Sequence, residues 1–438
     1  MLRDLPLEPP PPLRAGLIGF GVVGAGTYRV LQANREVIRA RAGCAIELRA
    51  VATRTASRAQ AAISDGVAML DDPLQLARHP ELDVVIEAMG GVDEARHAVL
   101  EAMAHGKHVI TANKALLAVH GEEIFAAARQ HGVSVGFEAA VAVSIPIVKA
   151  LREGLVANRI EWVAGIVNGT SNHVLTQMGA AGRSFAQALS EAQALGYAEA
   201  DPALDVGGGD AAHKLALLAA MAFGGPPRLD AVHVEGITGL HAEDFRNARR
   251  LGYAVKLLAV AEHVEKGALQ LRVHPALLPR ESLLAQVDGR MNGIMVKGDA
   301  AGVTLYCGAG AGGSETASAV VADLVDLARA LRGHGQGVSV PSLGFAGETA
   351  APTFRPIETL QSRHYLRVPL ARADAGTSVI DALARHGVRV KRGTQTRDAL
   401  VALTDLVAES RAAAAVGGLS AVAGVNGPVT RLRVEALA

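Results

Sequence analysis

The chain has 438 residues, half of them hydrophobic and a fifth charged, a globular composition on a length that calls for more than one core. Lys plus Arg and Asp plus Glu balance at 43 each, so the charge points to neither a nucleic-acid nor a membrane partner. Only Cys44 and Cys307 are present, which excludes a disulfide framework and a cysteine-rich metal site and fits a reducing cytoplasm. No apolar run reaches the roughly 18–20 residues that span a bilayer.

Residues 1–12 read as a Pro-rich arm without fixed structure. From Leu13 strands and helices alternate. The strand Leu13–Gly19 leads into GFGVVG, and a long helical stretch follows through Tyr28, Leu31 and Ile38. Ile46–Ala52, Asp83–Ala88, His108–Thr111 and Val133–Phe137 are further short apolar strands, with helical segments between them. Fully apolar strands in this rhythm predict a doubly wound parallel sheet, covered on both faces, over residues 13–140. Beyond it the rhythm changes. Helical stretches at Ser144–Arg152, Ser171–Met178, Phe185–Leu195 and Asp210–Phe223 mix with strands at Trp162–Val167, Val255–Glu262, Leu269–His274 and Gly293–Lys297. That predicts an α+β domain over residues 141–315, a helix over 316–341, a Gly/Pro/Thr-rich linker over 342–362, and a small βαββαβ unit over 363–438.

GFGVVG matches G-x-G-x-x-G after a strand and before a helix. Gly19 allows the tight turn, Gly21 lets a pyrophosphate approach the backbone, and Gly24 lets the helix pack on the strand, as in a Rossmann dinucleotide site. A glycine-rich turn without a nucleotide is the alternative. The second strand ends in AVATRTASR without the acid that holds a ribose 2′-OH. Arg54 and Arg58 suit a 2′-phosphate and lean the site toward NADP; solvated surface arginines are the plain reading. Asn113 and Lys114 stand at a strand's C-terminal end, where open parallel sheets bind ligands. Asn168, Thr170 and Asn172 are natural turn and cap residues, open also to a role in a polar pocket. The densest cluster is GYAEADPALDVGGGDAAHK, with Glu199, Asp201, Asp205 and Asp210 before Lys214. A helix starting near Asp210 sets Asp210 and Lys214 one turn apart on one face. The glycines before Asp210 read as a flexible approach to that helix. The GAGAGG run from Gly308 is a second glycine-rich loop before a helix, with no strand-and-fingerprint pattern of its own.

Taken together, GFGVVG, EAMGG, GKHVITANKALL, the Glu138–Pro146 block, GIVNGTSNHVL, LGYAEADPALDV with DAAHK, RVHPALLP and the GAG–TASAVVADL loop resemble homoserine dehydrogenase in its longer bacterial form. The resemblance runs from about Arg14 to Leu331. It implies reversible NAD(P)-dependent interconversion of L-homoserine and L-aspartate 4-semialdehyde, a step toward threonine and methionine. It implies Lys214 as general acid/base, Asp210 as its partner, and Lys114 as a second pocket lysine. It implies substrate contacts at Glu199, Asp205, Asp210, Thr170 and Tyr197. The cofactor residues it implies are Gly19, Phe20, Gly21, Val22, Val23, Gly24, Arg54, Thr111, Lys114 and Gly310. It further implies Na+ held by Glu138 and the main-chain carbonyls of Val141, Val143 and Ile145, a homodimer or homotetramer, and a catalytic and dimerisation role for residues 141–315. The family usually has glycines where this chain has Val143 and Ser144, and a backbone requiring positive φ there would be strained by Val. The tail resembles an ACT domain, which leaves threonine feedback and a purely structural module as open alternatives.

A free lysine titrates near about 10.4, so a basic Lys214 needs burial or nearby positive charge. Asp210 works the other way and reads as a positioner rather than an activator. A semialdehyde dehydrogenase would need a nucleophilic cysteine, which neither Cys44 nor Cys307 is placed to supply. A non-catalytic dinucleotide-binding amino-acid sensor, the remaining alternative, would be expected to lack the Asp210/Lys214 pair.

Overall fold

The structure, a computed structural model, describes residues 10–54, 56–63, 66–264, 267–332, 340–347 and 352–437. Most of the expected Pro-rich arm and part of the expected linker lie outside the described residues, as does the side chain of Arg58. The chain divides into two units, one of Met1–Asn158, Ala216–Leu229 and Ala309–Ala351, the other of Arg159–Leu215, Asp230–Gly308 and Pro352–Ala438.

In the first unit β1 (Leu13–Ile18), β2 (Ile46–Ala52), β3 (Ala68–Leu70), β4 (Val84–Glu87), β5 (His108–Thr111) and β6 (Val135–Gly136) form a sheet ordered β3-β2-β1-β4-β5-β6. Every pairing in it is parallel. The inner strands β4 and β5 are almost wholly buried, which is why they read as short apolar runs. The order reverses between β1 and β4, the switch point at which such sheets bind ligands. The core joins Leu17, Val84 and Ile86 to Val320 and Leu324 of the helix Gly313–Arg332. That helix crosses the helix Val22–Ala33 where both are bare: a Cβ on Gly26 would stand 2.7 Å from the Gly313 carbonyl oxygen. The single helix expected through Ile38 is two, Val22–Ala33 and Arg35–Ala42, broken at Asn34. The helix expected over Ser144–Arg152 starts only at Ile147 and ends in a wide turn, Ala150–Gly154.

The second unit holds β7 (Ile160–Ile166), β8 (Val232–Val234), β9 (Tyr253–His263), β10 (Leu269–Pro279), β11 (Met291–Gly298), β12 (Gly302–Ala309), β13 (Gln361–Pro369), β14 (Val390–Gln395), β15 (Ala399–Thr404), β16 (Val407–Ala408) and β17 (Thr430–Val434). The main path is β12-β11-β7-β9-β10-β17-β13-β15-β14. The tail follows the expected βαββαβ order with one addition, the two-residue β16 paired to β13 before the second helix, and its strands continue this sheet, since β17 pairs in parallel with β10. β9 takes one edge of β10 along its whole length, so β8 and β17 share the other edge end to end. Two cores result. Trp162, Ile166, Leu258, Val260 and Leu278 form one, and Leu366, Val379, Leu383, Leu400 and Leu419 form the other, under the tail helices.

Several elements escape the sequence reading, among them the short strands β3 and β16 and the three that follow. β8 is three residues long. The helix Ala242–Leu251 is half charged, with only Asp244, Phe245 and Ala248 buried. β12 runs straight into the GAGAGG loop; most of its residues are half-buried on both sides, so no alternation marks it.

Candidate active site

The turn after β1 has the conformation that its glycines allow. Gly19 stands at φ 92, where a Cβ would meet the Ala88 main chain at 2.5 Å. A Cβ on Gly24 would run into the Gly19 carbonyl, so only glycine lets this helix start against β1. Gly21 is the N-cap of Val22–Ala33, and nothing stands within 4 Å of the place its Cβ would take. Phe20 is buried, whereas Val22 is 71% exposed, so the first turn presents unpaired amides to open space. That is the geometry an anionic pyrophosphate needs. Val23 packs on the core beneath, and Gly310 is buried three residues before the helix Gly313–Arg332.

Beside this turn, Glu87 ends β4 with its carboxylate fully buried. It accepts from Thr111 Oγ1 at 2.5 Å and from the Met89 amide at 2.9 Å. Burial pushes its pKa up while those hydrogen bonds oppose the rise. Thr111 Oγ1 in turn accepts from the Asn113 amide at 3.0 Å. Asn113 donates to the Gly91 carbonyl at 2.6 Å and caps the helix Lys114–His131 by accepting from Leu116 N. The EAMGG and TANK blocks are thereby locked together, and Lys114 is placed at the first residue of a helix. Arg54 is exposed just past β2.

The Glu138 block forms its own buried knot. The carboxylate of Glu138 accepts from Val148 N at 2.9 Å and Lys149 N at 3.0 Å, and its own amide donates to Asp323 Oδ2 at 2.9 Å. Burial raises Glu138, and burial together with the Glu138 charge pushes Asp323 up to about 8. Val141 and Ile145 are buried. Val143 stands at φ 54, the one non-glycine residue in the left-handed region among the described residues. Ser144 Oγ donates to the Ala309 carbonyl at 2.9 Å.

In the second unit β7 delivers the chain to Asn168, which caps the helix Gly169–Ala181 by accepting from Ser171 N at 2.7 Å. The other end of the same side chain donates to Asp205 Oδ1 at 2.7 Å and to Asp210 Oδ2 at 2.8 Å. Lys214 lies one turn beyond Asp210 on the helix Gly209–Phe223, with Nζ 3.0 Å from Asp210 Oδ2 and donating to the Val167 carbonyl at 2.6 Å. Asp210 and Lys214 are only 5% and 6% exposed. An ion pair this buried is no ordinary surface i,i+4 pair, because each charge depends on the other for solvation. Burial pushes Asp205 up, the Asn168 hydrogen bond opposes, and the Asp210 charge adds to the rise. The glycines before Asp210 are not loose. Gly208 holds φ +86, and a Cβ there would meet Val234 Cγ1 at 3.0 Å.

The expected substrate residues divide. Asp205, Asp210 and Lys214 converge. Thr170 Oγ1 donates to the Tyr197 carbonyl at 2.7 Å, and the Tyr197 ring meets His173 edge-on at 5.1 Å. Glu199 stays exposed, its main-chain carbonyl accepting from Gln193 at 3.1 Å. Sequence reasoning missed two contributors. Asn292, fully buried on β11, shares the Val167 carbonyl with Lys214 at 3.2 Å, and Ser171 Oγ holds the Asp205 carbonyl at 2.9 Å. Neither stands in the acid-rich stretch that marked the site. Among the described residues no group of three His, Cys, Asp or Glu is placed to hold a metal, and no helix is long and apolar enough to cross a membrane.

Comparison with known proteins agrees with this geometry. Residues 19–138 match the family model for the NAD-binding domain of homoserine dehydrogenase, and residues 146–325 match the model for homoserine dehydrogenase itself. A homoserine dehydrogenase from Pseudomonas aeruginosa is 48% identical, over 97% of this chain and 99% of that protein. The crystal structure of a homoserine dehydrogenase from Thiobacillus denitrificans superposes with a TM-score of 0.92 at 46% identity, covering 98% of this chain and 99% of that one. A hyperthermophilic archaeal homoserine dehydrogenase, solved in complex with NADPH, has a TM-score of 0.62 at 25% identity over 72% of this chain and 97% of its own. The chain belongs to the homoserine dehydrogenase family.

Proposed function

We propose that Lys214 is the general acid/base of homoserine oxidation and that Asp210 fixes it in place. The observation that carries this reading is the buried Asp210–Lys214 pair, bridged through Asn168 to Asp205. A nicotinamide dinucleotide supplies the hydride acceptor when bound. In oxidation the C4–H bond of homoserine breaks with its electron pair leaving as hydride, and the hydroxyl proton goes to Lys214 Nζ. In reduction of the semialdehyde the Lys214 ammonium returns that proton to the carbonyl oxygen. Asp210 then acts as a positioner, holding Nζ at 3.0 Å beside the Val167 carbonyl.

The zwitterionic substrate asks for carboxylates at its ammonium and a cation at its carboxylate. Within the second unit Asp205 and Glu199 suit the first, beside Thr170 and Tyr197; Lys114, at the start of its own helix, has the charge that suits the second. Arg54, with no acid at the end of β2, favours NADP over NAD. For a cation, one buried carboxylate at Glu138 beside neutral carbonyls of Val141, Val143 and Ile145 suits a hard, singly charged ion such as Na+ better than a divalent metal. Its part would be to order that loop. The tail is proposed as a threonine-responsive module. Oxidation of homoserine with NAD+ and NADP+ in parallel, with and without Na+ and threonine, tests these assignments; equal use of both cofactors removes the Arg54 reading. Lys214→Ala tests the core of the proposal, with turnover expected to fall by about two orders of magnitude.

A further inference from the structure

A lattice of buried charge runs along the seam between β10 and the tail. Arg433 on β17 is 2% exposed and donates to two carboxylates at once. Nη1 and Nη2 each reach Glu235 at 2.8 Å, a bidentate pair, while Nε and Nη2 reach Glu409 at 3.0 and 2.6 Å. Glu235 also takes His233 Nε2 at 2.8 Å. Although burial works to raise it, the bonds from His233 and Arg433 hold the Glu235 carboxyl far below the usual carboxylate range. Glu235 stands one residue past β8, where β8 and β17 meet end to end on β10. Nothing in the proposed chemistry uses it.

The segment just after Glu235 ties this pair to the acid-rich turn. The Ile237 amide donates to the Val206 carbonyl at 2.9 Å. Gly236 lies so close to that turn that a Cβ would stand 2.6 Å from the Val206 oxygen and 2.9 Å from Gly207 Cα. A Cβ on Gly208 would in turn stand 3.4 Å from the Glu235 carbonyl oxygen. Residues 206–208 form the turn that separates Asp205 from Asp210. The Glu235 amide donates to the Val273 carbonyl at 2.8 Å, so the segment is fixed to β10 on one side and to the acid turn on the other.

We infer that Glu235 and Arg433 are positioning residues: the last strand of the tail, through this bidentate pair, sets the placement of the Val206–Gly208 turn and thereby of the adjoining Asp205. The inference rests on the reading of Asp205 as a substrate carboxylate. It gives the tail a constant role in substrate affinity, present without any effector. Because the pair acts through the turn beside Asp205 and leaves the Lys214 contacts to Asp210 and the Val167 carbonyl in place, its loss moves KM for homoserine more than kcat.

The test uses the full chain. Glu235→Ala, Glu235→Gln and Arg433→Lys are compared with Glu262→Ala. Glu262 pairs with Arg272 at 2.6 Å in the same lattice but does not touch the acid turn. Steady-state homoserine oxidation is measured for each, with thermal unfolding alongside. Glu235→Ala is expected to raise KM for homoserine about tenfold, with kcat within about twofold and cofactor KM unchanged. Glu235→Gln keeps the shape of the side chain and one hydrogen bond, and is expected to fall between. If Glu235→Ala does not fold, Glu235→Gln and Arg433→Lys carry the same KM prediction. Glu262→Ala is expected to lower the unfolding temperature while leaving KM for homoserine within about twofold. An unchanged homoserine KM in the Glu235 variants, or an equal rise in Glu262→Ala, overturns the inference. If Lys214→Ala keeps normal turnover, the site itself is misread; if that variant is inactive while the Glu235 variants match the parent, the positioning role alone falls.

Discussion

Acidification should loosen the second unit through one histidine. His364 on β13 is fully buried, its Nε2 3.2 Å from Ser362 Oγ and 3.7 Å from Glu409 Oε2. Burial, and then the charges of Arg431 and Arg433, push its pKa down to about 4 even though Glu409 opposes. A base with a depressed folded pKa gives stability that is complete above the unfolded value and lost as pH falls through the folded one. Below the unfolded value of about 6.5, each tenfold rise in acidity removes about 1.4 kcal/mol, so about 2 kcal/mol is gone by pH 5 and about 3 kcal/mol by pH 4. Trp162, the only tryptophan in the chain, sits buried on β7 in the same unit and reports its unfolding. Urea unfolding followed by Trp162 fluorescence at pH 7.5 and pH 5, on the parent and on His364→Gln, isolates the effect from the carboxylates of the lattice. The parent should lose about 2 kcal/mol more than the variant over that interval. Parallel losses would show that His364 does not carry the pH dependence and would refute the reasoning.

Backbone geometry gives two further expected outcomes. Gly24→Ala forces a methyl into the Gly19 carbonyl and should weaken binding of reduced dinucleotide by about tenfold or more, read by titration of nicotinamide fluorescence. Val143→Gly relieves a left-handed conformation worth about 1–2 kcal/mol, against about 0.4–1 kcal/mol for the freer unfolded chain. Thermal unfolding should therefore show no loss, or a gain of up to about 1.6 kcal/mol. A loss of more than about 1 kcal/mol would mean that the half-buried Val143 side chain matters more than its strain.

Local features were legible in the sequence because the residues that matter stand close together along the chain. Gly19, Gly21 and Gly24 announce a strand-turn-helix, and the structure gives them the positive φ, the open approach and the tight packing that their spacing implies. The Asp210/Lys214 spacing was readable for the same reason, and so was the risk at Val143, which does adopt positive φ. The rest is set by tertiary contact. Burial decides that Asp210–Lys214 is a dry pair rather than a surface one, and no spacing reports burial. Asn168 reads as a cap; that its amide also spans two acids 37 and 42 residues away is visible only in three dimensions. Glu235 and Arg433 are 198 residues apart, one just past a strand too short to show a period and the other in a tail whose strands join a sheet begun elsewhere. Glu199 belongs to the same acid-rich stretch as Asp205, yet the loop leaves it exposed.

The central claim is that one buried lysine moves the proton. Single-turnover oxidation of homoserine by Lys214→Ala, with dinucleotide binding measured on the same preparation, tests it most directly. The account predicts normal cofactor affinity and a chemical step slower by about two orders of magnitude or more. A chemical step within about threefold of the parent would contradict it, and the proton would have to be handled elsewhere.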